Sequence, residues 1–220
     1  MKTYTPSHGN CIGRILACAI LCVFLLGSQS GADEAISSKG STSSETGVGN
    51  LVADAIRLLA GADMAILPGS ILRDAEIPIK DITAADIKKT ITDPDQQVVV
   101  VQLSGAKLRE ALERSVSLAP KPSASFLQVS GITFRYDLNS SVGKRVGDIL
   151  LGRRAIAPDA DLKVAMPKEL ASGGLGYFRI WNQLKPDGAS PGTLGSAVQN
   201  LLSGKIDAGT YLPNGRISRG

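Results

Sequence analysis

The sequence is nearly without the side chains that most often carry chemistry. Its only histidine is His8, and its three cysteines, Cys11, Cys18 and Cys22, all fall in the first 22 residues. Phe, Trp and Tyr together make up 4% of the chain, so rings for stacking are scarce. There is no basic stripe. Once Lys2 and Arg14 are set aside, 22 basic side chains stand against 20 acidic ones, which argues against a nucleic-acid footprint. The apolar run Ile15–Leu26 has twelve residues, short of the roughly 20 that span a bilayer.

That run has the length of a signal-peptide core. Lys2 and Arg14 form a basic region ahead of it, and Ser30-Gly31-Ala32 supplies small residues for cleavage before Asp33. Residues 1–32 are therefore expected to be a signal peptide, with an uncleaved anchor as the alternative. The mature protein is expected in the periplasm or secreted, with no membrane association after cleavage. Export with cleavage would leave no thiol and no imidazole, hence no disulfide, no thiolate metal site and no cysteine nucleophile. An all-carboxylate magnesium or calcium site is the residual metal chemistry. Asp93/Asp95 and Asp159/Asp161 are spaced as turn acids are, and no loop has the full calcium-ligand spacing. No metal and no cofactor are expected.

Residues 33–44 are rich in Ser and Gly and are expected to be a flexible linker. Order is expected from Glu45. Val52, Ala55, Ile56 and Leu59 share a helical face in Leu51–Leu59, with Asn50 as N-cap and Gly61 as C-terminal stop. Met64–Leu67 reads as a buried strand that Pro68 ends. The loop Pro68-Gly69-Ser70 leads to a lone cation, Arg73, placed to hold a carboxylate or phosphate; the alternative is a solvated surface arginine. Thr83 caps a short helix with Asp86 three residues on. Val98–Leu103 is a β-branched run expected to be buried on both faces. Ser104 caps a helix to about Ser117, whose charged outer face reads as solvated.

Phe126–Val129 and Ile132–Tyr136 are strand-like on either side of Gly131, which predicts a bulge or bend. Val146–Leu151 and Leu162–Ala165 are further strands, and Thr193 caps a last helix, Leu194–Leu202. Gly173-Gly174-Leu175-Gly176 is a weak candidate for a phosphate cradle. Tyr177, Phe178 and Trp181 form the densest aromatic group, read either as a satellite core cluster or as a stacking platform. With no second linker, residues 45–217 are expected to form one mixed α/β domain.

These residues, taken in order, resemble the C-terminal domain of the 5′-nucleotidase / UDP-sugar hydrolase family. The resemblance rests on Glu45-Thr46 with Gly49-Asn50-Leu51-Val52-Ala53-Asp54-Ala55; Gly61-Ala62-Asp63; Val99-Val100-Val101 with Leu103-Ser104-Gly105; Phe126–Gly131; Arg145-Val146; Leu170–Gly174 with Gly176-Tyr177; and Gly215-Arg216-Ile217. It implies a four-layer α/β/β/α domain that binds the nucleoside part of a substrate. The family's larger metallophosphoesterase domain, which holds two metal ions, is not expected within these 220 residues. The family's Asn-Gly-Gly-Gly-Ile-Arg loop is here Pro68–Arg73, keeping the arginine. Its two base-stacking phenylalanines are replaced by Pro94 and Glu169, and its ribose-binding aspartate by Leu175.

Two functions follow from this. One is a non-catalytic binding or interaction protein on a retained scaffold with a diverged pocket. The other is the substrate-binding half of a split nucleotide phosphohydrolase, completed in trans by a separate metallophosphoesterase chain. Either would take an anionic or nucleotide-like small molecule, with Arg73, Gly69, Ser70, Gly173, Gly174 and Tyr177 as ligand-binding candidates and no catalytic residue of its own.

Overall fold

The computed structural model describes residues 1–3, 34–204 and 206–220. The leader read at residues 1–32 lies outside this description apart from its first three residues. Residues 34–204 and 206–220 belong to one compact unit. In chain order its elements are β1 (Ala35–Ser37), α1 (Gly47–Ala60), β2 (Met64–Pro68), β3 (Glu76–Pro78), α2 (Ala84–Thr90), β4 (Gln97–Ser104), α3 (Gly105–Ser115), β5 (Leu127–Ser130), β6 (Ile132–Tyr136), β7 (Val146–Leu151), β8 (Arg154–Ala155), β9 (Asp161–Pro167), α4 (Lys168–Ala171), β10 (Gly192–Thr193), α5 (Leu194–Ser203) and β11 (Ile217–Arg219).

A five-stranded sheet in the order β10-β4-β9-β2-β5 is the centre of the fold. Its pairs are antiparallel except β2 with β9, which are parallel. Alternation along the strands divides the core in two. Ala65, Leu67 and Val98 pack with α1, α2 and α5, whereas Met64, Ile66, Val99 and Val101 face α3 and a second sheet. That second sheet runs β11-β6-β7-β8, and α3 packs against both β4 and β7. The β-branched run of β4 is thus buried on both faces because each face meets a different core.

Local signals account for most helix ends. Thr83 and Asp86 form a reciprocal capping box, as do Thr193 and Ser196, and the Ser104 hydroxyl accepts from Lys107 N. Gly61 ends α1 in the left-handed region at φ 53°. The start of α1 differs from expectation. Thr46 is its N-cap, accepting from Gly49 N, and Asn50 lies inside the helix, donating to Glu45 Oε1 at 2.8 Å.

Residues 34–44 are not a free linker in the structure. β1 pairs with β3, Ile36 is fully buried, and Ser38 Oγ donates to Arg73 O at 2.6 Å. Ser37, Ser38 and Ser41 donate to backbone carbonyls of residues 69–75, a role that composition alone does not reveal. Gly131 is also more than a bulge. At φ 81° it carries the chain from β5 in the first sheet to β6 in the second, and a Cβ there would lie 2.4 Å from Asp63 O. The helix from Ser104 ends at Ser115, two residues short of its expected end.

Candidate functional site

The candidate residues fall in three places. The first is the loop after β2. Gly69 is pressed against the N-terminal segment: Ser41 Oγ donates to Gly69 O at 2.8 Å, and a Cβ on Gly69 would lie 1.8 Å from Ser41 O. Ser70 Oγ donates to Ala124 O at 2.9 Å. Arg73 is exposed, but its guanidinium is largely engaged. Nη1 donates to Lys89 O and Ile91 O at 3.1 and 2.7 Å, and Nη2 to Thr92 O at 3.2 Å. It thereby satisfies carbonyls left open where α2 ends. The groove beside it, of about 530 Å³, also carries Asp74, Glu76, Asp81 and Asp86. The Thr83 hydroxyl holds the Asp86 carboxyl below the usual carboxylate range.

The second place is a cleft of about 640 Å³ between the segment after α2 and α4. Asp93, Gln96 and Gln97 line one side; Lys168, Glu169, Ser172 and Gly174 line the other. The Asp93–Gln96 turn is fixed by Asp95 N donating to Asp93 Oδ1 at 3.2 Å and by Gly195 N donating to Pro94 O at 2.7 Å. Lys168 Nζ reaches across to Gln97 Oε1 at 3.4 Å. Two carboxylates and one ammonium give the lining a negative balance. Pro94 is absent from it: its ring packs on the start of α5, where a Cβ on Gly195 would sit 3.2 Å from Pro94 Cβ. From this turn Asp93 and Gln96 line the cleft; sequence reasoning missed Gln96, along with Gln97, Lys168 and Ser172. Lys168 carried a signal, being next to Glu169 in sequence.

The third place is the aromatic group. Tyr177 is fully buried, stacked on Trp181 with centroids 5.1 Å apart, and its hydroxyl donates to Ser125 O at 2.7 Å. Trp181 Nε1 donates to Leu170 O at 3.0 Å. Burial pushes the Tyr177 hydroxyl far above the usual phenol range, with the Arg114 charge opposing. Both rings belong to the core between the sheets, so of the two readings the packing role is the one realised for them; Phe178 stays 59% exposed. The preceding glycines serve close packing. Gly173 sits at φ 88° against Phe178, and a Cβ on Gly174 would lie 2.8 Å from Glu169 O. Leu175, where the resemblance places a ribose-binding aspartate, is exposed at φ 54°, and its carbonyl accepts from Arg114.

Of the six candidates, Gly174 alone lines the polar cleft. Arg73 opens on a different groove, and Tyr177 lies in the core. Among the described residues, no group of three or more His, Cys, Asp or Glu side chains is placed to hold a metal ion. None of the described helices is long and apolar enough to cross a membrane.

Two sheets packed face to face, with helices against both, define a mixed α/β sandwich with a polar cleft at one end of β4 and β9. The profile of the 5′-nucleotidase C-terminal domain matches residues 27–183, and the chain belongs to that family. It is similar to the trifunctional nucleotide phosphoesterase protein YfkN of Bacillus subtilis, 32% identical over 142 residues, which are 60% of this chain and 10% of that protein. A 5′-nucleotidase of Vibrio cholerae is 28% identical over 177 residues, 79% of this chain and 30% of the relative. Among solved structures, a 5′-nucleotidase precursor from Thermus thermophilus aligns with a TM-score of 0.70 at 25% identity, covering 85% of this chain and 38% of that one. The chain thus spans a minor part of each relative's length.

Proposed function

We propose that this chain is an exported, non-catalytic binding or interaction domain that keeps the 5′-nucleotidase C-terminal scaffold with a diverged ligand cleft. One observation carries the reading: the cleft between Asp93–Gln97 and Lys168–Gly174 is lined by amides, hydroxyl and charge, with no aromatic ring in its lining. The resemblance puts base-stacking rings on this chain's Pro94 and Glu169. Pro94 packs on α5 instead, and Glu169 puts a carboxylate where a ring would lie. Stacking on aromatic rings is worth about 1–3 kcal/mol per base, so its loss weakens nucleoside binding by roughly one to two decades per ring. The acidic lining further disfavours a phosphate. Among the described residues, Arg73 Nη1 and part of Nη2 are committed to carbonyls, which leaves Nε and the rest of Nη2 for an anion.

The test is calorimetry of the purified chain with adenosine, AMP and UDP-glucose, alongside phosphate release with manganese, zinc or magnesium added. The expected result is no micromolar nucleoside binding and no turnover that follows the protein through purification. Micromolar AMP binding that vanishes in Arg73→Ala would restore a nucleotide role and overturn the diverged-cleft reading. Phosphate release that appears only when an exported metallophosphoesterase is added would favour the split hydrolase.

A further inference from the structure

A second cleft, of about 630 Å³, lies along α3 on a different part of the domain from the polar cleft, and the two share no lining residue. Its floor is apolar. Ile149 is buried and Ile156 and Ile180 are partly buried beneath it. Its rim carries three guanidinium groups, those of Arg109, Arg114 and Arg179. The volume lies in the range of small-molecule pockets, and the pattern of an apolar body with a few polar groups is the usual one for such sites.

The charge on this rim is unbalanced in a specific way. Two glutamates also line the cleft, but both are engaged. Glu110 pairs with Lys107 at 3.0 Å, and the two oxygens of Glu113 accept from Arg145 N and Val146 N at 3.0 and 2.8 Å. None of the three arginines forms an ion pair among the described residues. Arg109 spends one donor on Val146 O and Arg114 two on Leu175 O. The Arg179 guanidinium makes no hydrogen bond among the described residues and lies 5.8 Å over the Phe178 ring. The start of α3 is not the anion anchor, because Gly105 N and Ala106 N already donate to Ala160 O and Pro158 O. One glycine lining the cleft and one beside the Arg114 guanidinium leave no room for a side chain. A Cβ on Gly105 would lie 2.0 Å from Ala157 O, and one on Gly176 would lie 2.2 Å from Arg114 Nη2. The wall and one guanidinium are therefore held in place by close backbone contact.

We propose that this cleft binds an amphipathic organic anion, its apolar body on the isoleucine floor and its carboxylate or phosphate head on the guanidinium rim. Guanidinium groups bind such heads through paired, charge-assisted hydrogen bonds. Apolar burial and charge pairing are both required, so neither a short anion nor an uncharged amphiphile is a good ligand. The assignment stands independently of the polar cleft.

The experiment is a titration of the full chain with decanoate below its aggregation range, followed by amide NMR and calorimetry, with decanol and acetate as controls. The expected result is saturable decanoate binding with shifts at Ala106, Ile156 and Ile180. Decanol and acetate should bind at least about tenfold more weakly. Arg179→Gln, which removes a guanidinium that makes no hydrogen bond among the described residues, should weaken decanoate about tenfold while leaving the spectrum folded. Ile156→Thr should weaken it several-fold by a separate route. Equal binding of decanol, non-saturating partition, shifts confined to another face, or wild-type affinity in Arg179→Gln would each overturn the assignment. Decyl phosphate in place of decanoate distinguishes the two head groups.

Discussion

Arg216 on the approach to β11 holds Asp54 of α1 in a two-pronged ion pair, Nη1 to Oδ1 at 2.6 Å and Nη2 to Oδ2 at 3.1 Å. The two side chains are 13% and 18% exposed. Asp54 Oδ1 also accepts from Ser130 Oγ, which in turn accepts from Arg57 Nε at 2.7 Å. Beside them Glu45 accepts from Asn214 N, Gly215 N and Ile217 N. The start of the domain and its last strand are thereby fastened to the same polar lattice.

Removing one partner of that pair leaves the other charge in a poorly hydrated place. Arg216→Ala is expected to cost about 2–3 kcal/mol in urea unfolding, at or just below the range for fully buried pairs. An Asp54→Ala/Arg216→Ala double variant should lose less than the two single losses added together. A loss under about 0.5 kcal/mol in Arg216→Ala would mean that the pair behaves as a solvated one.

Among the described glycines, Gly69 leaves the least room for a Cβ, and what fills that room is the N-terminal segment. With Ser41 O in the place of its missing Cβ, Gly69→Ala must push residues 41–42 away or bend the loop after β2. The expected loss is about 2–3 kcal/mol, in the range of overpacked cores. Gly147→Ala is the control, since a Cβ there meets Arg135 O at an ordinary 3.5 Å. Differential scanning calorimetry of both variants should show a large drop in Tm for the first alone.

Tyr177 makes the stability of the domain sensitive to alkaline pH. Its hydroxyl is neutral in the folded protein to well above the ordinary phenol pKa of about 10, because burial opposes the phenolate. The raised folded pKa fixes the sign: the contribution is whole below about pH 10 and is lost as pH rises from there toward the folded value. At neutral pH, Tyr177→Phe should cost about 1–3 kcal/mol, since it leaves Ser125 O without its donor. Above pH 10 the gap between wild type and variant should narrow. Urea unfolding at pH 7, 9, 10 and 11 checks this, and a constant gap would rule the titration out.

Short-range features were readable from the sequence. The capping pair Thr83/Asp86, the cap Thr193, the stop at Gly61 and the doubly buried β4 each depend on residues within a few positions. What was not readable depends on partners far along the chain. Ser38 and Ser41 look like linker residues until the 69–75 carbonyls lie beside them. Arg73 looks like a free cation until the end of α2 arrives. Gly131 looks like a bulge until the strands on its two sides join different sheets. The polar cleft was half legible: Glu169 pointed to it, but the orientation of Pro94 is set by α5, a hundred residues on in sequence.

That orientation decides where a stacking ring would have to be restored. Motif order alone selects Pro94 and Glu169. In the structure Pro94 packs against Gly195, so a phenylalanine at 94 would disturb the start of α5 rather than face the cleft. Gln96 on one side and Glu169 on the other do line the cleft, both with side chains outside the core. Gln96→Phe/Glu169→Phe is therefore expected to bind adenosine more tightly than wild type by about 1–3 kcal/mol for each ring that engages a base, or roughly ten- to hundredfold for one ring. Pro94→Phe/Glu169→Phe should gain less and lose stability. Calorimetry with adenosine and thermal unfolding of both double variants separate these outcomes. A larger gain in the Pro94 variant, with unchanged Tm, would show that the turn re-forms around a ring at 94 and that the cleft is read from the wrong side chain.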